Sequence, residues 1–219
     1  MNRLPYPLDT FGWKQSSQND EDGVIAKIID RIPMPRYFVE FGVELREGNC
    51  LRLHHAGWKG LFMDARGDGD LIKKEWVTPS NINDLLYKYQ VSDIGVLSID
   101  IDGQDWWVWK HLRREPKLVV IEYNGKLPKD SALITPRDDN FRIKDQGYGC
   151  SLWAMNMLGT RKGYTLVYAN GVNAFFVLTD SFSNPDDFTY DNVYKAWPTE
   201  TIEDPAALGF IPLDHHFDS

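Results

Sequence analysis

Short apolar segments alternate with amphipathic segments along much of this chain, and this alternation is the strongest constraint on its fold. Residues 82–89 and 152–161 carry apolar side chains at helical spacing. Strands that are apolar on both faces and alternate with helices are typical of a doubly wound, mostly parallel sheet. The sequence therefore predicts an α/β fold. The clearest strand candidates are residues 37–42, 61–64, 94–101 and 117–123.

Weaker patterns complete the expected domain. Residues 75–78 predict a further strand, residues 47–56 a helix, and residues 166–168 with 174–178 a closing strand pair. Residues 124–146 show no periodicity, which is typical of a lid or a substrate-binding loop. We therefore expect an N-terminal arm and helix (1–36), a main domain (37–180) containing this loop, and a C-terminal tail without firm structure (181–219).

Composition excludes several classes of protein. The chain has 24 basic and 32 acidic residues, a net charge of -8, so general nucleic-acid binding is not expected. A nucleic-acid enzyme would need a local basic patch, for which residues 110–117 are the candidate. No apolar run reaches the ~20 residues of a membrane-spanning helix. Two cysteines make no disulfide framework, and we expect a cytoplasmic protein without membrane attachment.

Acidic residues stand at the ends of four predicted strands. An acid in this position often caps the next helix, which explains any one of them. However, parallel strands bring their carboxyl ends to one edge of the sheet, where ligands of this fold class bind. The set therefore predicts a binding site at that edge. Its members are Glu40, Asp64, Asp100 with Asp102, and Glu122.

The first strand-to-helix turn indicates the kind of ligand. Asp64 follows Gly42 by 22 residues, the spacing at which an acid accepts hydrogen bonds from ribose hydroxyls. The turn lacks the glycine-rich phosphate-binding motif, and Glu44 and Glu47 would repel a pyrophosphate. NAD is therefore disfavoured. A nucleoside with a cationic centre and an amino-acid tail, such as S-adenosylmethionine, meets both conditions.

Oxygen-bearing side chains on neighbouring strands also suit a hard cation. Asp102, Glu122 and Asn124 are the candidate ligands for Mg²⁺. A hydrogen-bonded acid cluster that holds no metal explains the same residues and is slightly favoured. The sequence leaves both interpretations open.

Six segments, taken in order, resemble the FkbM-like methyltransferases over residues 37–177. The resemblance implies a Rossmann-like class I fold that binds S-adenosylmethionine, with a seven-stranded sheet whose last strand is antiparallel. It also implies methyl transfer to a hydroxyl oxygen of a sugar or natural product. The segments are Phe38–Val43, Gly57–Gly60, Ser98–Gly103, Val120–Asn124, Lys162–Tyr164 and Gly171–Val177.

The resemblance also implies roles for single residues. Glu40 and Gly42 match the methionine-binding turn, Asp64 the ribose-binding acid, and Asp100 the acid that faces the amino-acid end of the cofactor. The chain departs from the family at residues 44–45, Glu-Leu, where a second glycine is more usual.

Transfer to a hydroxyl also requires removal of its proton. Asp102 and Tyr148 are the candidates for this catalytic step. His54, His55 and His111 are expected far from the strand ends, and residues 215–216, a His pair, lie in the tail.

Two functions remain open. The first is an O-methyltransferase acting on a glycan, a sugar or another small hydroxylated molecule, with S-adenosylmethionine and, in one variant, Mg²⁺. The second is a non-catalytic binding or scaffold protein that retains the methyltransferase fold. The sequence does not predict an oligomeric state.

Overall fold

One seven-stranded sheet organises the molecule. A computed structural model describes residues 2–44, 46–143, 146–195 and 201–213. Its strands lie side by side in the order β3-β2-β1-β4-β5-β7-β6. Their bounds are β1 Tyr37–Phe41, β2 Lys59–Asp64, β3 Ile72–Lys74, β4 Val96–Ile99, β5 Leu118–Glu122, β6 Tyr164–Ala169 and β7 Asn173–Leu178.

The direction of the strands confirms the prediction of a mostly parallel α/β sheet. Strands β1 to β5 are parallel to one another, whereas β7 is antiparallel to both β5 and β6. Every residue of β4 and β5 is buried, which explains their continuous apolar sequences. The chain runs outward from β1 to β3 and then returns to β4 on the other side of β1. The carboxyl ends of β1 and β4 therefore flank a topological switch point.

The helices follow the predicted pattern, with one shift and one short additional helix, Tyr190–Val193, in the tail, where no firm structure was expected. The second helix begins at Leu51 rather than near Glu47, because Glu44 and Glu47 pair in a short antiparallel bridge. The N–H of Gly48 also donates to the carbonyl of Ser16, which keeps this part of the chain in a loop. The bounds are α1 Glu21–Arg31, α2 Leu51–His55, α3 Ile82–Lys88, α4 Asp105–His111, α5 Leu152–Arg161 and α6 Tyr190–Val193.

The third strand lies earlier than predicted. It covers Ile72–Lys74, whereas the apolar pattern pointed to residues 75–78. The Nε1–H of Trp76 donates to the carbonyl of Asp139, and the N–H of Thr78 donates to Asn81 just before α3. Residues 75–78 thus form the turn between β3 and α3. Their apolar side chains serve this turn rather than a strand.

The predicted arm and tail share one hydrophobic core with the main domain. Leu4 and Leu8 are buried in it, together with Phe182 and Leu213 from the other end of the chain. Two-residue strands, Leu133–Ile134 and Ile211–Pro212, pair in antiparallel fashion and join the 124–146 loop to the tail. The three predicted segments therefore belong to one packed unit.

Two further expectations concern the environment of the protein. Cys50 and Cys150 are both free and buried, so the cysteines form no disulfide. Within the described ranges, no helix combines the length and the apolar character that crossing a membrane requires.

Candidate functional site

A cavity of about 440 Å³ opens at the carboxyl edge of the sheet, at the switch point between β1 and β4. It contains six of the eight residues that the sequence predicts for the site. The other two, Asn124 and Tyr148, do not line it. The six are Glu40, Gly42, Asp64, Asp100, Asp102 and Glu122.

Glu40 holds the loop after β1 in place. Its Oε1 accepts a hydrogen bond from the N–H of Asn49 at 2.6 Å, and its Oε2 accepts one from the N–H of Cys50 at 2.9 Å. These donors stand just before α2, so the carboxyl group caps that helix. Burial raises the pKa of Glu40 to about 7, although both N–H groups favour the charged form. Glu40 therefore fixes the position of the loop residues that precede α2 at the cavity.

Gly42 allows the ends of β1 and β4 to meet. Its φ is +75°, and a Cβ at this position would lie 1.4 Å from the carbonyl oxygen of Asp100. Only glycine therefore fits between the two strand ends. A turn without a side chain leaves backbone exposed to a ligand at this point.

Asp64 ends β2 at the cavity wall, beside an arginine. Its Oδ1 accepts the N–H of Arg66 at 2.6 Å, and the Arg66 Nε lies 3.5 Å from the same oxygen. The Arg66 guanidinium also reaches the Glu44 carboxylate at 3.2 Å. The Arg66 side chain is 75% exposed and Asp64 only 12%, so the arginine covers the acid from the solvent side. Residue 45, part of the departure from the family pattern, lies outside the described residues.

A buried acid that the sequence analysis missed shapes the turn after β4. Asp105 accepts hydrogen bonds from the N–H groups of Ile101 at 2.9 Å and Gly103 at 2.8 Å. Its burial raises its pKa to about 6 against the effect of these donors. The turn holds Asp102 at a φ of +57°, in the left-handed region that aspartate tolerates better than most residues. The signal available in the sequence was an acid two residues after a glycine, at a helix start.

Three carboxyl groups meet beside this turn, two from the end of β4 and one from the end of β5. Asp100, Asp102 and Glu122 each offer an oxygen, and these atoms lie within 4.8 Å of one another. Burial, followed by the neighbouring carboxylates, raises the pKa of Asp100 and of Glu122 well above the usual range. Burial also raises the pKa of Asp102, while Arg66 opposes the change. Such a group can hold a proton between two carboxyls or share a cation.

The two remaining candidates take other positions. The Nδ2 of Asn124 donates to the carbonyls of Gln146 at 3.0 Å and Tyr148 at 3.1 Å, so its amide anchors the 124–146 loop. Asn124 is not a member of the carboxyl cluster. Burial, with the charges of Glu122 and Asp102, raises the pKa of Tyr148 to about 12. Its phenol therefore keeps its proton at neutral pH.

The predicted loop supplies one wall of the cavity through residues 138–143, which we call the loop wall. Gln104 anchors it, because its Nε2 donates to the Pro136 carbonyl at 3.0 Å and its Oε1 accepts the Asp138 N–H at 2.9 Å. On the opposite side, the Arg142 guanidinium lies 3.7 Å from the centre of the Trp76 ring. These contacts hold the loop wall near both of its ends, at Asp138 and at Arg142.

The three histidines in the described ranges do not line this cavity. His54, on α2, packs its ring against Phe38 of β1 and Phe62 of β2. The Nδ1 of His111 lies 2.8 Å from the Trp107 carbonyl, and burial lowers its pKa. His55 follows His54 at the end of α2. Residues 215–216, the histidine pair of the tail, lie outside the described residues.

Comparison with known proteins adds no assignment. A scan against models of protein families finds no match, and a search of curated proteins finds no significant match.

Proposed function

We propose that this protein is an S-adenosylmethionine-dependent methyltransferase that acts on a hydroxyl oxygen of a sugar or another small hydroxylated acceptor. One observation carries the proposal: the cavity at the switch point joins the bare Gly42 turn of β1 to the Asp64 carboxylate of β2. The sheet order, with β7 antiparallel, supports a class I methyltransferase fold. A fold alone does not establish an activity, so the proposal depends on the site.

The charges around the cavity favour this cofactor. The ribose of S-adenosylmethionine offers two hydroxyl donors, and Asp64 offers carboxylate acceptors. Its sulfonium and ammonium groups are cations, and we expect them near Glu40 and Asp100. Glu44 and Glu47 also line the cavity and would repel a pyrophosphate. The site therefore suits a cationic nucleoside better than NAD.

The chemistry requires alignment and one proton acceptor. The acceptor oxygen attacks the methyl carbon in line with the leaving sulfur, so a C–O bond forms while the C–S bond breaks. The products are a methyl ether and S-adenosylhomocysteine. Asp102 is exposed at the cavity and has a raised pKa, which suits a base that takes the hydroxyl proton. Tyr148 keeps its own proton and does not line the cavity, so we assign this step to Asp102.

Setting and partners form part of the same proposal. Free, buried cysteines suit a reducing compartment, and we propose a cytoplasmic location. The net charge of -8 favours a small-molecule or glycan acceptor over a nucleic acid. The loop wall is the surface that such an acceptor would meet.

Titration calorimetry with S-adenosylmethionine and S-adenosylhomocysteine tests the cofactor. We expect saturable micromolar binding to the wild type and at least about tenfold weaker binding to Asp64→Asn, a loss of ~1.4 kcal/mol. Asparagine keeps an acceptor for the Arg66 N–H but loses the charge. Asp68→Asn is the matched control, because the Asp68 carboxylate accepts two backbone N–H groups in the same loop, where that of Asp64 accepts one, but Asp68 does not line the cavity. We expect it to bind like the wild type.

The contact between Arg66 and Glu44 favours a second candidate function, a non-catalytic binding protein. This ion pair connects the end of β2 to the turn after β1. The same arginine also contacts the Asp64 carboxylate. Both side chains are mostly exposed, so the pair is weak and can open. An absence of cofactor binding by the wild type would contradict the methyltransferase proposal and favour this alternative.

A further inference from the structure

Asn173 presents a buried oxygen without a hydrogen-bond partner beside the carboxyl cluster. It is 1% exposed and lines the cavity. It is paired with Glu122 in the register between β5 and β7, so the two side chains project on the same side of the sheet. Its Oδ1 is buried and accepts no hydrogen bond from any residue that the structure describes. A buried acceptor in this condition costs free energy unless a ligand satisfies it.

The orientation of this amide is set by Glu21. The Nδ2 of Asn173 donates to Glu21 Oε1 at 3.0 Å, and the same carboxylate oxygen accepts the Nδ2 of Asn170 at 2.8 Å. A carboxylate accepts hydrogen bonds, so the nitrogen of Asn173 must face Glu21. Its oxygen is consequently directed away from Glu21. The chain thus fixes an acceptor, and not a donor, next to Glu122.

Glu122 presents a second oxygen of this kind. The residue is 8% exposed, and its Oε2 is buried without a hydrogen-bond donor among the described parts of the chain. Asp100 and Asp102 add oxygens within 4.8 Å of the carboxylate of Glu122. Four side chains therefore offer oxygen acceptors to one region of the cavity. A cation that binds several oxygens at once would satisfy all four.

We propose that Asp100, Asp102, Glu122 and Asn173 form a binding site for a divalent cation such as Mg²⁺ or Mn²⁺. These cations prefer carboxylate and amide oxygens, and Mg²⁺ commonly completes its shell with water or substrate oxygens. The cavity leaves room for such additional ligands. Asn173 replaces Asn124 in the ligand set expected from the sequence, because Asn124 does not line the cavity and its Oδ1 accepts the N–H of Lys126 at 3.2 Å. One oxygen of Asp102 suffices for the cation, which leaves the other for an acceptor hydroxyl.

This site goes beyond the proposed function: it shares Asp100 and Asp102 with that proposal, but cation binding itself requires no cofactor. Its ligands come from the ends of β4 and β5 and the start of β7, whereas Asp64 lies at the end of β2. Cation binding can therefore be measured without any cofactor. A protein that binds the cation but not S-adenosylmethionine would contradict only the methyltransferase proposal.

The test is a calorimetric titration of the EDTA-treated, dialysed full-length protein with Mn²⁺ at neutral pH, without S-adenosylmethionine. We expect one saturable site with a Kd below about 1 mM that Mg²⁺ displaces. Glu122→Gln and Asn173→Leu should each weaken Mn²⁺ binding by about tenfold or more. Both substitutions keep the approximate size of the side chain, and thermal unfolding of each variant verifies its fold. If Asn173→Leu fails to fold, Glu122→Gln alone decides.

Glu47→Gln is the matched control, since Glu47 lines the same cavity but lies outside the cluster. We expect its affinity for Mn²⁺ to stay within about twofold of the wild type. An equal loss in Glu47→Gln and Glu122→Gln would overturn the site and indicate general attraction by an acidic cavity. Absence of saturable Mn²⁺ binding in the wild type would also overturn it. If that protein still bound S-adenosylmethionine, the cluster would instead receive the ammonium group of the cofactor.

Discussion

Glu40 is a fully buried carboxyl group whose pKa rises to about 7, above the usual value of 4.5. Between these two pH values the folded protein binds more protons than the unfolded chain, so this group makes the free energy of unfolding fall as pH rises. We expect Glu40→Gln to lose this dependence. Relative to the variant, the wild type should lose about 2–3 kcal/mol between pH 4.5 and 8. Urea denaturation at several pH values measures this difference.

A comparison with Glu47→Gln separates this effect from the loss of a negative charge, because Glu47 lines the same cavity with an exposed side chain. The amide of Glu40→Gln faces the N–H of Cys50 and should add a loss that does not vary with pH. The opposite result, in which the free energy of unfolding of the wild type rises with pH relative to that of Glu40→Gln, would mean that the two backbone donors keep Glu40 charged.

Single residues show which parts of the site a sequence can predict. The acids at the strand ends were predictable because parallel strands bring their carboxyl ends together. Asn173 was not, because it reaches Glu122 only through the antiparallel register of β5 and β7. Asn124 stands at the right strand end, but the carbonyls of the 124–146 loop take up its amide. Contacts between distant segments decide these cases.

At the scale of elements, the loop wall depends on the Gln104 side chain. Gln104→Met keeps the length of the side chain but leaves the Pro136 carbonyl and the Asp138 N–H without their partners. Each lost bond costs about 1 kcal/mol or more, so we expect the loss of both to make local opening about thirtyfold more frequent. Hydrogen exchange of peptides covering residues 135–143 should accelerate accordingly.

Peptides from α5 provide the internal control in the same experiment, because neither of the two Gln104 hydrogen bonds involves this helix. Their exchange should stay unchanged. Equal acceleration in α5 would indicate general destabilisation of the fold. Unchanged exchange in the loop wall would mean that Trp76 and Arg142 hold it without Gln104.

Elements were predictable where burial alone determines the sequence. β4 and β5 are buried along their whole length, and their apolar runs indicate them directly. The third strand was misplaced because Trp76 and Val77 are apolar for another reason, their place beside the cavity. α2 begins late because the bridge between Glu44 and Glu47 holds the preceding residues. Local periodicity cannot distinguish a strand from a cavity-lining turn.

At the scale of the molecule, the alternation of strands and helices was enough to predict a mostly parallel sheet. It did not predict that both ends of the chain join the core. Leu4 lies against Asn184, some 180 residues later in the chain, and its N–H and carbonyl both bond to that side chain. Such contacts leave no periodic pattern in either segment. The core that supports the cavity thus includes residues of both the arm and the tail.

This shared core predicts that the arm, the main domain and the tail unfold together. Asn184→Ala leaves the N–H and the carbonyl of buried Leu4 without partners, so we expect the free energy of unfolding to fall by about 1–3 kcal/mol in one cooperative transition. Asn192→Ala is the control, because Asn192 is exposed, and its effect should stay within about 0.5 kcal/mol. Urea titration followed by tryptophan fluorescence and by circular dichroism measures both. Two separate transitions would contradict the shared core, because an end that only rests on the main domain unfolds before it.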